Sequence, residues 1–171
     1  MITGTKVILR PARDIDLEEL FELENSIANR SPLAPVGFKS FLEYKRDYEK
    51  FGWWFDDGGG LVITTQDGRL IGSIGCRRNG IVAGYEVGYQ IFRDADRGQG
   101  YMSEALRLFT DYMFDWKDIP RLYLFIDPEN AASVALARKT GYSQEGLMRR
   151  AVFARGAYRD LAIYGMVRAS A

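Results

Sequence analysis

Histidine is absent from the 171 residues, and cysteine occurs once. The first absence removes Ser-His and Cys-His nucleophile pairs, together with the commonest transition-metal ligand. The second excludes an intramolecular disulfide and a thiolate zinc site. No stretch approaches the ~18 uncharged apolar residues of a membrane-spanning helix. The opening Met-Ile-Thr-Gly-Thr-Lys lacks the apolar run of a signal peptide. Net charge is missing too, with 23 Lys+Arg against 23 Asp+Glu, so the basic excess of a duplex-binding protein is not there. What is present is 47% hydrophobic and 13% aromatic residues, which excludes disordered and collagen-like chains. The expectation is one domain over residues 1–171, soluble and cytoplasmic, with neither membrane nor nucleic acid as partner.

The neutral total conceals a gradient. Residues 1–70 carry 9 basic and 12 acidic side chains, residues 71–130 carry 7 and 9, and residues 131–171 carry 7 and 2. An acidic front and a basic tail suit a cationic ligand on one side and an anionic one on the other. Solvated surface charge is the rival reading.

Along the chain, Val7-Ile8-Leu9 reads as a first strand. Asp14 or Asp16 can cap a helix carrying Leu17, Leu20, Phe21 and Leu23, with Glu18, Glu19 and Glu22 near its positive end. Proline makes Ser31–Pro35 a loop. A second helix is predicted from Lys39 to Lys50, then the aromatic cluster Phe51, Trp53, Trp54, Phe55 and a flexible break over Asp56–Gly60. Leu61–Thr65 and Leu70–Arg77 read as a hairpin around Asp67-Gly68, a type I′ signal, and Asn79-Gly80 is a second signal of that kind. In the next strand, Gly84–Phe92, Tyr85, Val87, Tyr89 and Ile91 share one face, and Glu86, Gly88, Gln90 and Phe92 the other. Met102, Ala105, Leu106, Phe109, Met113 and Trp116 form a helical stripe over Gly100–Trp116. A short strand at Leu122–Ile126 and a helix over Asn130–Thr140 stopped by Gly141 follow. Two strands, near Gly146–Ala154 and Tyr158–Val167, flank an Arg155-Gly156 turn. The order predicts an α/β (α+β) fold, a mixed sheet with helices on its faces.

The chemistry concentrates where the strand ending at Phe92 meets Arg97-Gly98-Gln99-Gly100-Tyr101-Met102 and a long helix. Glycines at such a turn let backbone N–H groups converge, and the helix N-terminus adds about half a positive charge. Together they suit phosphate oxygens, although glycine-rich turns before helices also arise for steric reasons alone. The stretch has neither the Gly-Lys-Ser/Thr of a P-loop nor the Gly-x-Gly-x-x-Gly of a dinucleotide fold.

This loop resembles the Arg/Gln-x-x-Gly-x-Gly/Ala pyrophosphate loop of the GNAT superfamily of acetyl-CoA-dependent N-acyltransferases. Gly4–Arg10 with Pro11, Asn130-x-x-Ser133 with Lys139-Thr140-Gly141-Tyr142 and Glu145-Gly146, and Arg149 with Gly156-Ala157-Tyr158-Arg159-Asp160 are similar to motifs of its RimJ/RimL-type branch. The resemblance runs from residue 4 to 167. It implies a largely antiparallel seven-stranded sheet with a splayed central strand pair and four helices. It also implies acetyl-CoA as acyl-donor substrate, with no metal: Gln90, Ile91 and Phe92 pair with the pantetheine amides, Arg97, Gly98, Gln99, Gly100, Tyr101, Met102 and Ser103 surround the pyrophosphate, and Asn130 touches the pantetheine arm. Met102 stands where the general pattern has Gly or Ala.

Acetyl transfer to an amine needs a neutral nucleophile, a polarised carbonyl and a proton for the departing thiolate. Many members supply that proton from a tyrosine seven positions after the asparagine, which here is Ala137. RimL-like enzymes use a serine matching Ser133, and a glutamate base where this chain has Val152. Glu86, beside the cleft, is the remaining base candidate, with Glu145 or held water behind it. Each has a structural rival: Asn130 as a helix cap, Ser133 as a first-turn residue, Glu86 as cross-strand partner of Arg77 or Arg78. Trp53 and Trp54 read as core or dimer contacts, and Cys76 as a packed small residue. The expected activity is acetyl transfer from acetyl-CoA to a protein N-terminus or a small amine by direct attack in a ternary complex, in a chain that can form a homodimer. A CoA-binding module without turnover, or transfer of another acyl group, is the alternative.

Overall fold

The computed structural model describes residues 1–30, 37–55, 58–80 and 82–169. The segment Ser31–Pro35, read from sequence as a loop, lies outside them, as do Asp56 and Asp57. Nine strands and four α-helices appear among the described residues: β1 (Ile2–Thr3), β2 (Val7–Arg10), α1 (Leu17–Asn25), α2 (Phe41–Phe51), β3 (Trp54–Phe55), β4 (Gly58–Thr65), β5 (Leu70–Arg77), β6 (Tyr85–Ile91), α3 (Tyr101–Trp116), β7 (Arg121–Ile126), α4 (Ala131–Lys139), β8 (Ser143–Ala154) and β9 (Ala157–Val167). The two-residue strands β1 and β3 carry the count beyond the expected seven. They join one sheet of order β1-β2-β4-β5-β6-β7-β9-β8, with β3 on β4. Every pairing is antiparallel except β6 with β7.

That exception shapes the molecule. β6 and β7 pair only at Tyr85 with Leu122 and Glu86 with Tyr123. Beyond these the strands part, although β6 stays paired with β5 as far as Ile91 opposite Gly72. The two meet closely at their base because residue 84 is glycine: a Cβ there would lie 2.0 Å from the Arg121 carbonyl oxygen, and its φ is +91°. Val87–Ile91 therefore has one bonded edge and one open edge.

The sheet separates two apolar layers. On one face α3 buries Met102, Ala105, Leu106, Phe109 and Met113 against Ile63, Ile74, Tyr85, Val87 and Leu124. The predicted stripe is thus the buried one, and each of its larger side chains, Met102, Leu106, Phe109 and Met113, stabilises by about 2 kcal/mol. Trp116 ends it at the surface, stacked on Trp54 at 5.4 Å. On the other face α1 and α2 cover Val62, Leu70 and Phe92 with Leu20, Leu23 and Tyr44.

Several local expectations need correction. Asp16 does not cap α1. Its carboxylate takes both arms of the buried Arg10 guanidinium at 2.6 and 2.9 Å, and the Arg13 N–H at 2.8 Å, so a charge outcompetes the helix end for it. The predicted break over Asp56–Gly60 is overturned at Gly58–Gly60, which are the first residues of β4. Gly59 permits this: its Cβ would sit 2.1 Å from the Trp53 carbonyl oxygen. At Asp67-Gly68 only the glycine is left-handed, so the turn is not type I′. At Arg155-Gly156 both residues are, with φ of 53° and 81°. α2 begins at Phe41 because Ser40 accepts a bond from the Glu43 N–H at 3.1 Å.

Candidate active site

The loop between β6 and α3 carries an uncommon surplus of donors. Among the described residues nothing accepts a hydrogen bond from the backbone N–H groups of Gly98, Gln99, Gly100, Tyr101, Met102 or Ser103; the first bond of α3 runs from Glu104 to the Gly100 carbonyl at 3.2 Å. Gly98 and Gly100 stand in left-handed conformations at φ 75° and 82°, which only glycine adopts without strain. The sequence here makes a nest of N–H groups at the positive end of a 16-residue helix. Such donors fit an oxyanion of high charge, and a pyrophosphate is one.

Arg97 is not part of that nest. Its N–H donates to the Asp94 carbonyl at 3.0 Å, and its guanidinium holds the Asn29 carbonyl at 3.0 Å and the Asp94 carboxylate at 2.5 Å. A residue not singled out from sequence stands there instead. Lys6 Nζ donates to the Gln99 carbonyl at 2.9 Å, and a Cβ on Gly100 would lie 3.3 Å from it. In the sequence it lies within the Gly4–Arg10 stretch, where nothing set it apart from its neighbours. It is fixed beside the loop because Glu104, on the first turn of α3, accepts the N–H groups of Thr5, Lys6 and Val7 at 2.7–2.9 Å. Burial pushes the Glu104 carboxyl up, but the Thr5 hydroxyl, donating at 2.6 Å, and those three N–H groups together hold it below its ordinary range.

The open edge of Val87–Ile91 leads directly to this loop. Gln90 and Ile91 lie on it; Phe92 comes after its end, donates its N–H to the Ile71 carbonyl at 3.0 Å and buries its ring under α1. An extended ligand bearing amides can add to such an edge. Across the gap, Asn130 caps α4 by accepting the Ser133 N–H at 3.1 Å. Asn130 and Ser133 are therefore brought together by the cap itself, with the Ser133 side chain half-buried on the first turn. From the facing strand Tyr89 points into the same layer. Its hydroxyl is buried without a hydrogen bond of ordinary geometry, and Ser133 is the side chain that acts on it. Burial raises the Tyr89 phenol above its ordinary range, and Ser133 partly offsets that. The sequence reading places Tyr89 only on the strand face shared by Tyr85, Val87 and Ile91, and nothing in the pattern marks its hydroxyl.

Glu86 is placed differently from a free base. Arg77 lies opposite it in register and grips the carboxylate twice, at 2.9 and 3.2 Å. The cross-strand reading describes this arrangement. Glu145 is likewise paired, with Arg121, and Ala137 is fully buried. Cys76 packs in the core 3.8 Å from the Met113 sulfur, and burial pushes its thiol up to about 12.

Behind the sheet, between α1, α2 and strands β4 and β5, is a cavity of about 340 Å³. Its walls include Leu20, Glu24, Tyr44 and Trp53, and its floor Gly59, Gly60, Ser73 and Gly75. Ser73 pairs with Gln90, so the cavity adjoins the strand that carries the open edge.

A strand pair splayed beside a nest of N–H groups is the architecture of an acyl-CoA-dependent transferase. Residues 6–143 match the acetyltransferase (GNAT) domain family, and the chain belongs to that family. It is 27% identical to the probable N-acetyltransferase YjcK of Bacillus subtilis, over 94% of this chain and 93% of that protein. Its fold superposes on the Vibrio cholerae spermidine N-acetyltransferase, solved with CoA and spermine, at a TM-score of 0.80 and 22% identity, covering 96% of both chains. A TM-score of 0.78 at 22% identity, over 97% of both chains, relates it to the RimL ribosomal L7/L12 α-N-protein acetyltransferase in complex with CoA. Likeness at that identity establishes the fold, the α/β architecture expected.

Proposed function

We propose that residues 1–171 form a single cytoplasmic domain, of the RimJ/RimL-type branch, that transfers acetyl from acetyl-CoA to a primary amine by direct attack. The observation that carries this reading is the run of unbonded N–H groups from Gly98 to Ser103 at the end of an open strand edge. The loop takes the pyrophosphate, with Lys6 adding a positive charge, and the edge at Gln90 and Ile91 takes the pantetheine amides. The Asn130 side chain, its oxygen occupied by the cap, offers its amide N–H groups to the arm. The amine lone pair attacks the thioester carbonyl, the N–C bond forms as the C–S bond breaks, Ser133 gives its proton to the thiolate, and the proton lost from the nitrogen restores the Ser133 hydroxyl. Tyr89 keeps its own proton, because its phenol is shifted upward, and can donate to the Ser133 oxygen.

A second reading, a CoA-binding module without turnover, is favoured by the engagement of Glu86 with Arg77 and by Ala137 and Val152 at the alternative positions. One experiment separates the two: titration of CoA, paired with thiol release from acetyl-CoA across a panel of amines. Acetyl transfer predicts binding and amine-dependent release. Binding with no release from any amine supports the module, and absence of binding removes both.

A further inference from the structure

The cavity under α1 and α2 holds an ionisable group that the mechanism above leaves unused. Glu24 comes from the last turn of α1, on the side of Leu20 and Leu23 that faces the sheet. Burial drives its carboxyl above the ordinary range, and Tyr44, Lys39 and Arg30 draw it partly back. Tyr44 is 4% exposed, and its hydroxyl has no partner of ordinary hydrogen-bond geometry. A half-buried carboxylate costs stability unless it is matched, and Tyr44, Lys39 and Arg30 offset that cost only in part, since the carboxyl stays above its ordinary range. Lys39, the cation on the lining, is more than half exposed and leans toward Asp47 at 3.9 Å.

The walls beside that carboxylate are aromatic. Tyr44 and Trp53 meet edge to face with centroids 4.6 Å apart. Trp53 occupies its place in a left-handed conformation, φ 56°, with its carbonyl bonded to the Gly60 N–H at 2.6 Å. A non-glycine residue keeps such a conformation only where its surroundings enforce it, and such residues cluster at ligand sites. The floor leaves room because a Cβ on Gly60 would meet nothing within 4 Å. Carboxylate and π-faces together form a receptor for an ammonium group.

We propose that this cavity is a subsite for a positively charged group of the acceptor, with the Glu24 carboxylate as counter-ion and the Tyr44 and Trp53 rings as walls. It rests on the acetyl-transfer reading in naming the ligand an acceptor, and it selects small aliphatic amines that carry a second cationic group. Neutral and carboxylated amines lack the group that Glu24 matches.

The test is equilibrium binding to the full chain saturated with CoA, read by calorimetry. The three probes share one primary amine and differ at the far end: 1,4-diaminobutane, 4-aminobutanol and 4-aminobutanoate. The diamine is expected to bind at least about 10-fold tighter than the alcohol, with the carboxylate weakest, which is the size of one matched charge in a partly buried site. Glu24→Gln should remove that discrimination while leaving CoA affinity unchanged. Gly60→Val, which fills open space, should weaken the diamine without lowering Tm. Equal binding of the three probes, preference for the carboxylate, or discrimination surviving in Glu24→Gln would overturn the subsite. Because the readout is binding, a chain that discriminates but never releases thiol refutes acetyl transfer alone. One that turns over without discriminating refutes the subsite alone.

Discussion

The two faces of the sheet present different kinds of group. On the α3 side the groups presented are backbone: the open edge of Val87–Ile91 and the N–H groups of Gly98–Ser103. Backbone donors are fixed by the fold, and they recognise the shape and charge of a ligand rather than a particular side-chain partner. On the α1/α2 side the groups are side chains, with Glu24, Tyr44 and Trp53 around a glycine floor. A constant donor can be met by the first arrangement, and different acceptors by changes in the second. On the proposed reading, the comparison teaches that cofactor recognition depends on chain conformation, whereas acceptor recognition depends on a few replaceable atoms.

Conformation should therefore dominate the losses on one side, and charge the losses on the other. The largest effect is expected at Asp16, which locks the loop before α1 to β2. Asp16→Asn leaves a buried Arg10 guanidinium uncompensated and should cost about 3 kcal/mol, read from chemical denaturation. The carboxyl of Asp16 is held below its ordinary range: Arg10 and the Arg13 N–H outweigh the larger single influence of burial, which acts upward. Its contribution is thus present above the unfolded-state range and fades as pH falls through the lower folded value, so the variant's deficit should shrink in acid. A deficit constant down to strongly acidic pH would contradict that.

Ser133→Ala should lower kcat roughly 10²-fold with CoA affinity nearly intact; unchanged turnover would return Ser133 to the helix turn. Gly100→Val should weaken CoA by about 10- to 100-fold, the consequence of ~1–3 kcal/mol of strain for a branched residue at positive φ, measured by calorimetry. Equal affinity would show that the loop does not hold the pyrophosphate.

The smallest effects separate two glutamates. Glu24 sits above its ordinary range chiefly through burial, so its ionisation disfavours the fold. That cost is absent below the unfolded value and appears as pH rises through the folded one. Glu24→Gln should then raise Tm near neutral pH, and the gain should vanish in acid. Tyr44, Lys39 and Arg30 face the same carboxyl and are unchanged in this comparison. Glu86→Gln, by contrast, removes a pair whose arginine is 75% exposed, and should change stability by under about 1 kcal/mol. A rising limb in the pH profile of kcat/KM that disappears in Glu86→Gln would restore Glu86 as base.

These differences track what a sequence can display. The α3 side was legible because its determinants are contiguous: a period-two strand, two glycines, a capping asparagine and a period-3.6 stripe. Alternation also placed Glu86 and Gln90 on one face and offered Arg77 or Arg78 as the cross-strand partner of Glu86, and the register selects Arg77. The cavity was not legible. Its residues are spread from Leu20 to Gly75 and meet only through packing, and Gly58–Gly60 read as a break because glycine has low strand propensity. Asp16 was misread for a similar reason, since its competing partner Arg10 stands on another element. The Tyr89 hydroxyl was hidden by its ring, which satisfies the apolar pattern completely.

The central claim is that CoA lies along the open edge of β6 and against the loop before α3. Backbone amide hydrogen exchange, followed with and without saturating CoA, tests it most directly. The account predicts slowed exchange confined to Val87–Ile91 and Gly98–Ser103, with α1 and α2 unchanged. Protection that leaves those two segments untouched, or that falls instead on the helices over the cavity, would contradict it.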